Sequence, residues 1–379
     1  MQQLFQNIIA IFETSANTTL FLKQIGMMII GAVLIFLAIK KQMEPTLLLP
    51  MGFGAILMNI PNHSETEGIS EILETLYNAG IENELFPLLL FIGIGAMIDF
   101  GPILSNPKLM IFGAAAQFGI FMTLTLASLF FDVKEAASIA IIGAADGPTS
   151  IVVARKLAPQ LLGPITVAAY SYMALVPVVQ PPVIKLFTTK KERQIKMPYK
   201  PESVSKLTRI LFPILVTIIT GLIAPGAAAL IGFLMFGNLI RECTVLDNLS
   251  DTAQKVLANL ITLFLGITVA FTMKADAFLS LGTILILALG LFAFVFDTMG
   301  GVLIAKLFNI FLPEGKKINP MIGAAGISAF PMSARIVHKM GQDEDKQNFL
   351  LMHAVGANVS GQIASVIAGG LIINFFTMI

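Results

Sequence analysis

Charge is scarce in this chain. Of its 379 residues only 12% are Asp, Glu, Lys or Arg, against 56% apolar, which leaves too little polar surface to coat even one soluble domain, although the length would allow two or three. A bilayer is the solvent that suits such a composition. The two signs nearly balance, at a net +1, and the basic residues fall in loops rather than along an aromatic-studded face, so nucleic acid is set aside as a partner. Cysteine and histidine are equally sparse. Cys243 allows no internal disulfide, and His63, His338 and His353 show no metal-ligand spacing with it. A basic leader is missing from MQQLFQNIIAIFETS, so residues 1–20 are expected to form an amphipathic interfacial helix rather than a signal peptide. No Ser-His-Asp set, phosphate-binding glycine loop or nicotinamide fingerprint occurs, which excludes enzyme chemistry of the soluble kind.

What the chain does have is long apolar runs. They predict an all-α polytopic membrane protein with roughly ten to twelve membrane segments. The expected spans are 25–40, 45–60, 84–103, 109–131, 135–155, 161–187, 209–223, 225–241, 257–272, 278–311, 319–338 and 348–378. This divides the chain into a first membrane repeat over 21–187, a basic loop over 188–208 and a second repeat over 209–379. The loop from Asn62 to Glu84 carries Glu65, Glu67, Glu71, Glu74, Glu82 and Glu84 without Lys or Arg. The stretch from Lys185 to Arg209 carries Lys190, Lys191, Arg193, Lys196, Lys200 and Lys206. By the positive-inside rule the first faces outward and the second the cytoplasm. Four expected spans separate them, and four crossings would return the chain to the side it left. One segment must fail to cross, and the Gly/Pro-interrupted stretch 135–155 is the candidate, as a re-entrant hairpin.

The segments IIGAADGPTSIVVAR (Ile141 to Arg155) and MIGAAGISAFPMSAR (Met321 to Arg335) share G-A-A and a closing A-R at one spacing, about 180 residues apart. A weaker echo pairs FIGI at Phe91 with FLGI at Phe264. The expectation is two inverted repeats with broken or re-entrant helices at the centre, a transporter plan that puts the site at the repeat interface.

Asp146 stands in G-A-A-D-G-P-T-S, inside an apolar segment, where a lone carboxylate costs about 2.5–3.5 kcal/mol at the bilayer centre. The glycines and Pro148 break the helix and free backbone carbonyls, and Thr149 and Ser150 add hydroxyls. A hard cation that prefers oxygen satisfies these groups together; a protonated Asp within a bundle is the alternative. In the second half Asn319, Gly323, Gly326, Ser328, Pro331 and Arg335 form a matching constellation. Asn358, Ser360 and Gln362 supply further neutral oxygens, or simply interhelical hydrogen bonds. Tyr172 needs a hydroxyl partner and suits proton relay or an interface role. Asp99 reads as a loop residue, and Asp297, followed by Gly300 and Gly301, as a possible part of an ion path.

With G-A-A-D-G-P-T-S, Y-S-Y-M-A-L-V-P-V-V-Q-P-P, I-N-P-M-I-G-A-A-G-I-S-A-F-P-M-S-A-R and N-F-L-L-M-H-A-V-G-A-N-V-S-G in view, the chain resembles the beta subunit of the sodium-pumping biotin-dependent decarboxylases, from roughly Leu85 to Gly369. The resemblance implies a translocase of a bacterial or archaeal inner membrane that decarboxylates carboxybiotin while exporting sodium and consuming a proton. It implies partners too: a biotin-carrying carboxyltransferase alpha subunit with its biotin carrier, a small membrane-anchoring gamma or delta subunit, and a possible homo-oligomer. It places the essential aspartate on Asp146 and the tyrosine on Tyr172. Sodium ligands then fall on Asp146, Asn319, Gly323, Ser328 and Asn358, and carboxybiotin contacts on Arg335 and Tyr172. The family's G-P-N is G-A-N here, at Gly356 to Asn358. The other readings are a sodium-coupled secondary transporter of a small organic anion, and a membrane scaffold without transport.

Overall fold

The computed structural model describes residues 18–60, 67–198 and 204–378, and every regular element among them is helical. The interfacial helix expected over 1–20 falls outside the described residues except for its last three, which open the first long helix. In the first half the labelled helices are α1 (Thr18–Lys41), α2 (Pro45–Met58), α3 (Glu67–Tyr77), α4 (Leu85–Met97), α5 (Met110–Ala116), α6 (Phe118–Ala127), α7 (Val133–Ala140), α8 (Gly147–Leu157) and α9 (Leu162–Phe187). In the second they are α10 (Lys206–Ile223), α11 (Ala228–Glu242), α12 (Ala258–Val269), α13 (Leu281–Phe311), α14 (Met332–Glu344) and α15 (Leu351–Thr377).

Among the described residues seven helices are long and apolar enough to cross a bilayer, or eight if the pair Ser70–Glu82 and Leu85–Met97, bent by 59°, is one span. That is fewer than the expected ten to twelve segments, for local reasons. α2 has 14 residues, about 21 Å of rise against a hydrocarbon core of about 30 Å. It stops where Asn59 turns its side chain to the Ala55 and Met273 carbonyls and the Ala275 amide, at 2.8, 2.8 and 2.9 Å. α4 is cut from the helix before it by Glu84, at φ 66°, and α11 has only 15 residues. The expected spans 135–155 and 319–338 are each interrupted in the middle.

The same order of elements runs twice: a long helix, a short one, a helix interrupted by a π turn (Asn78–Glu82, then Ala253–Leu257), a further apolar helix, a broken segment and a long closing helix. Their packing repeats as well. α4 crosses α11 where a Cβ on Gly95 would lie 1.8 Å from the Leu234 carbonyl oxygen and one on Gly237 2.0 Å from that of Ile92. The counterpart contact is α2 on α12, with Gly54 against the Ile267 carbonyl and Gly266 against that of Leu47. Lipid offers apolar side chains no reason to leave it, so close approach at small residues supplies the attraction in each case. The closing helices lie at the centre: the apolar windows of α9 and α15 are 61% and 67% buried, whereas those of α1 and α10 are 11%.

Candidate functional site

The first broken segment begins with a capping box, Asp132 Oδ1 accepting from the Lys134 and Glu135 amides at 2.8 and 3.0 Å. After α7 comes a 3-10 turn, Ile141–Ala144; Ala145 is left-handed at φ 53° and Asp146 extended, and α8 restarts at Gly147-Pro148. Proline suits that first turn because its missing N–H would lack a partner there anyway. The ends of the segment meet, with Gln160 Nε2 donating to Glu135 Oε1 at 2.9 Å. Arg155 pairs with Glu84 at 2.9 Å, so the mouth of this hairpin lies at the acidic loop.

The second hairpin comprises Met321–Ala324, an irregular stretch and α14. Its mouth lies at the basic loop: Asn319 Nδ2 donates to the Arg193 and Ile195 carbonyls at 2.8 and 2.9 Å, Asn348 Nδ2 to the Arg193 carbonyl at 2.9 Å, and Arg193 pairs with Glu344 at 2.6 Å. The two hairpins therefore open toward opposite loops and meet at their tips. Ser328 donates to the Ala144 carbonyl through its hydroxyl, and through its amide at 3.3 Å. Asn358 Nδ2 on α15 holds the second tip by the Ile327 carbonyl, at 2.6 Å.

Asp146 lies at this junction, 3% exposed. Its Oδ2 accepts from Thr149 Oγ1 at 2.8 Å, Ser365 Oγ at 3.0 Å and Gln362 Nε2 at 3.1 Å. Its Oδ1 has only a long bond from the Thr149 amide, at 3.4 Å, and a carboxylate oxygen has more lone-pair capacity than that. The position caps α8, whose dipole favours negative charge there. Two neutral oxygens on neighbouring elements, Asn358 Oδ1 and Gln117 Oε1, are buried without a partner. So is the hydroxyl of Tyr170, whose ring lies over Gly147: a Cβ there would meet Tyr170 Cε1 at 2.3 Å.

Asp146, Ser328 and Asn358 of the expected sodium ligands thus gather around the touching tips. Gln362, whose alternatives were a cation shell or interhelical bonding, bonds to Asp146 itself. Asn319 sits at the mouth of the second hairpin. Gly323 sits where that hairpin crosses α13, a Cβ on it lying 1.8 Å from the Gly301 carbonyl oxygen. Arg335 is exposed on α14. Tyr172 gives its hydroxyl to the Leu287 carbonyl and packs on Gly290. Asp99 is a loop residue, its Oδ1 accepting from the Gly101 amide at 2.8 Å. Sequence reasoning missed Tyr170, Gln117 and Ser365. One signal was available: residues two apart on a helix point about 200° apart, so Tyr170 and Tyr172 cannot serve the same face.

A family model described as Na+-transporting oxaloacetate decarboxylase beta subunit matches residues 23–376. The methylmalonyl-CoA decarboxylase subunit beta of Veillonella parvula is 52% identical over 345 residues, 91% of each chain. The glutaconyl-CoA decarboxylase subunit beta of Acidaminococcus fermentans is 52% identical over 347 residues, again 91% of each. The oxaloacetate decarboxylase beta chain of Haemophilus ducreyi is 43% identical, over 98% of this chain and 99% of its own.

Proposed function

The chain belongs to the family of Na+-transporting decarboxylase beta subunits, and from that premise we propose that Asp146 holds the transported sodium ion where the tips of the two hairpins meet. As a family member it is the multi-pass membrane subunit of a sodium-pumping decarboxylase in a bacterial membrane, one subunit of a larger complex, and it couples decarboxylation to sodium transport.

One observation carries the site reading: a buried carboxylate, surrounded by neutral donors alone, stands where a segment opening toward the acidic loop touches one opening toward the basic loop. Asp146 supplies the charge and Asn358 a neutral oxygen. The hydroxyls of Thr149 and Ser365 can turn their protons away and accept a cation in turn. The tip contact runs through few bonds, Ser328 to Ala144 and Asn358 to Ile327. Sodium at the tips therefore biases which hairpin mouth communicates with them, through different affinity in the two arrangements. The two halves act as inverted copies, divided by the basic loop over 188–208.

Carboxybiotin, brought by an alpha subunit and its biotin carrier with a small gamma or delta anchor, enters at the basic mouth. Arg335, in the first turn of α14, receives its carboxylate through charge-assisted bonds, and Asn319 keeps that mouth in shape. The consumed proton reaches the ring nitrogen of the biotin and releases carbon dioxide. Tyr170, with a free hydroxyl beside Asp146, suits a relay better than Tyr172, whose hydroxyl is committed. The relatives act on three different acids, so the acid is chosen outside this chain, by the carboxyltransferase. Titration of the purified complex with sodium tests the site: heat of binding and a thermal shift with Na+ but not K+ are expected, and both vanish in Asp146→Asn. A wild-type complex without sodium heat would end the reading.

A further inference from the structure

Sodium binding at Asp146 leaves a second buried carboxylate unused. Asp297 lies midway along the 31-residue α13, in F-V-F-D-T-M-G-G, at 0% exposure. Neither of its oxygens has a hydrogen-bond partner, nor do the hydroxyls of Thr298 beside it and Thr123 on α6. Space for the carboxylate comes from two glycines on separate elements. A Cβ on Gly119 would lie 2.2 Å from Oδ1, and one on Gly143 2.9 Å from Oδ2. The carboxylate is thus enclosed between the first turn of α6 and the 3-10 turn that leads into Asp146.

No counter-charge reaches it: neither oxygen is paired with a Lys, Arg or His side chain, and no side-chain donor bonds to either. The charged and titratable side chains on the elements packed against α13 are committed elsewhere. Asp146 binds Thr149, Gln362 and Ser365; Tyr172 binds the Leu287 carbonyl; Glu135 binds Gln160 at the hairpin mouth; Tyr170 lies over Gly147. Lys134 and Lys185 are exposed at the ends of α7 and α9, and Lys306 on α13 itself pairs with Glu192 at 3.1 Å. The amides of Gly119 and Ile120, in the first turn of α6, face the carboxylate, but only as neutral dipoles in poorly aligned contacts. An acid kept merely to cap α6 would hold those amides in proper bonds, and an asparagine would serve there as well.

A fixed negative group in hydrocarbon without a fixed positive one calls for a mobile one. We propose that Asp297 is a second monovalent-cation site, separated from Asp146 by the 141–144 turn and taking up either a proton or a sodium ion during transport. The turn then carries an ionisable group on each side, and loading one changes the field at the other.

The test uses Asp297→Asn in the whole complex, with sodium-22 equilibrium dialysis and a pH-dye record of proton uptake in proteoliposomes. Loss of one bound sodium per chain identifies sodium as the occupant. An unchanged sodium count with one proton fewer per turnover identifies the proton. Unchanged counts of both in an assembled variant overturn the proposal. Loss of sodium binding in Asp146→Asn with Asp297 function kept, or the reverse, separates the two sites. If Asp297→Asn does not assemble, infrared difference spectra of the Asp146→Asn complex with isotope-labelled aspartate replace it. An aspartic carboxyl band that moves with sodium or pH supports the site, and its absence overturns it.

Discussion

Replacing Asp146 with Asn changes little in shape and much in charge. In the native site three side-chain donors converge on Oδ2, at 2.8, 3.0 and 3.1 Å. A hydrogen bond to a charged group is worth about 1.5–3 kcal/mol and one to a neutral group about 0.5–1.5, so the amide gives up about 1 kcal/mol in each, or about 3 in all. Its attraction for a cation also falls, by about 4 kcal/mol for unit charges 4 Å apart at an effective dielectric near 20. The first loss acts on the empty site and the second on sodium, so the second sets the affinity change, nearly three tenfold steps. The hydroxyls of Thr149 and Ser365 can reverse their bonds and the Gln362 amide can flip, so the hairpin itself survives. Sodium-22 uptake into proteoliposomes should therefore fall to background at ordinary sodium. Half-saturation of sodium-stimulated decarboxylation should move up by about 100- to 1,000-fold. An assembled variant with native uptake and half-saturation within threefold of native would refute the assignment of charge to this site.

Other outcomes follow from the same structure. Gly301→Ala or Gly323→Ala puts a methyl group within 2.0 or 1.8 Å of the opposing backbone oxygen; overpacking costs about 1–3 kcal/mol or more, visible as a lower midpoint in detergent thermal denaturation. Single cysteines at Val133 and Leu157 should be labelled from the same side of the membrane, and labelling from opposite sides would show that 135–155 crosses. Tyr170→Phe should slow turnover more than Tyr172→Phe does, with the latter acting mainly on stability through Leu287; the reverse order of kcat would return the relay to Tyr172. Burial pushes the Glu192 carboxyl up, but bonds from Thr189 and Lys306 outweigh it and hold it below its ordinary 4.5. A carboxyl lowered on folding stabilises above its unfolded value, and the effect is lost as pH falls through the folded one. Amide exchange around residues 188–198 should accordingly accelerate below about pH 4.5, and Lys306→Met should remove much of that dependence.

The membrane character of the chain was legible in composition alone, because 12% charge cannot coat a water-facing surface. Lys and Glu placement set the acidic and basic loops apart, and each lies at the mouth of a different hairpin. Parity between them led to the expectation that 135–155 does not cross, and the Gln160–Glu135 bond joins the two ends of that segment. Asp146 stood out as a carboxylate in an apolar run, and G-A-A-D-G-P as a break, since glycine and proline act within their own turn of chain. Hydropathy could not say which apolar runs stay short, because a helix ends on contacts from afar, as α2 does at Met273 and Ala275. Nor could it say which oxygens reach Asp146. Ser365 and Gln362 lie more than 200 positions away, and only the seating of α15 against the first hairpin brings them within 3.1 Å. Asp297 shows the division most plainly: its charge is written in the chain, but its lack of any side-chain partner depends on two glycines from separate elements closing around it.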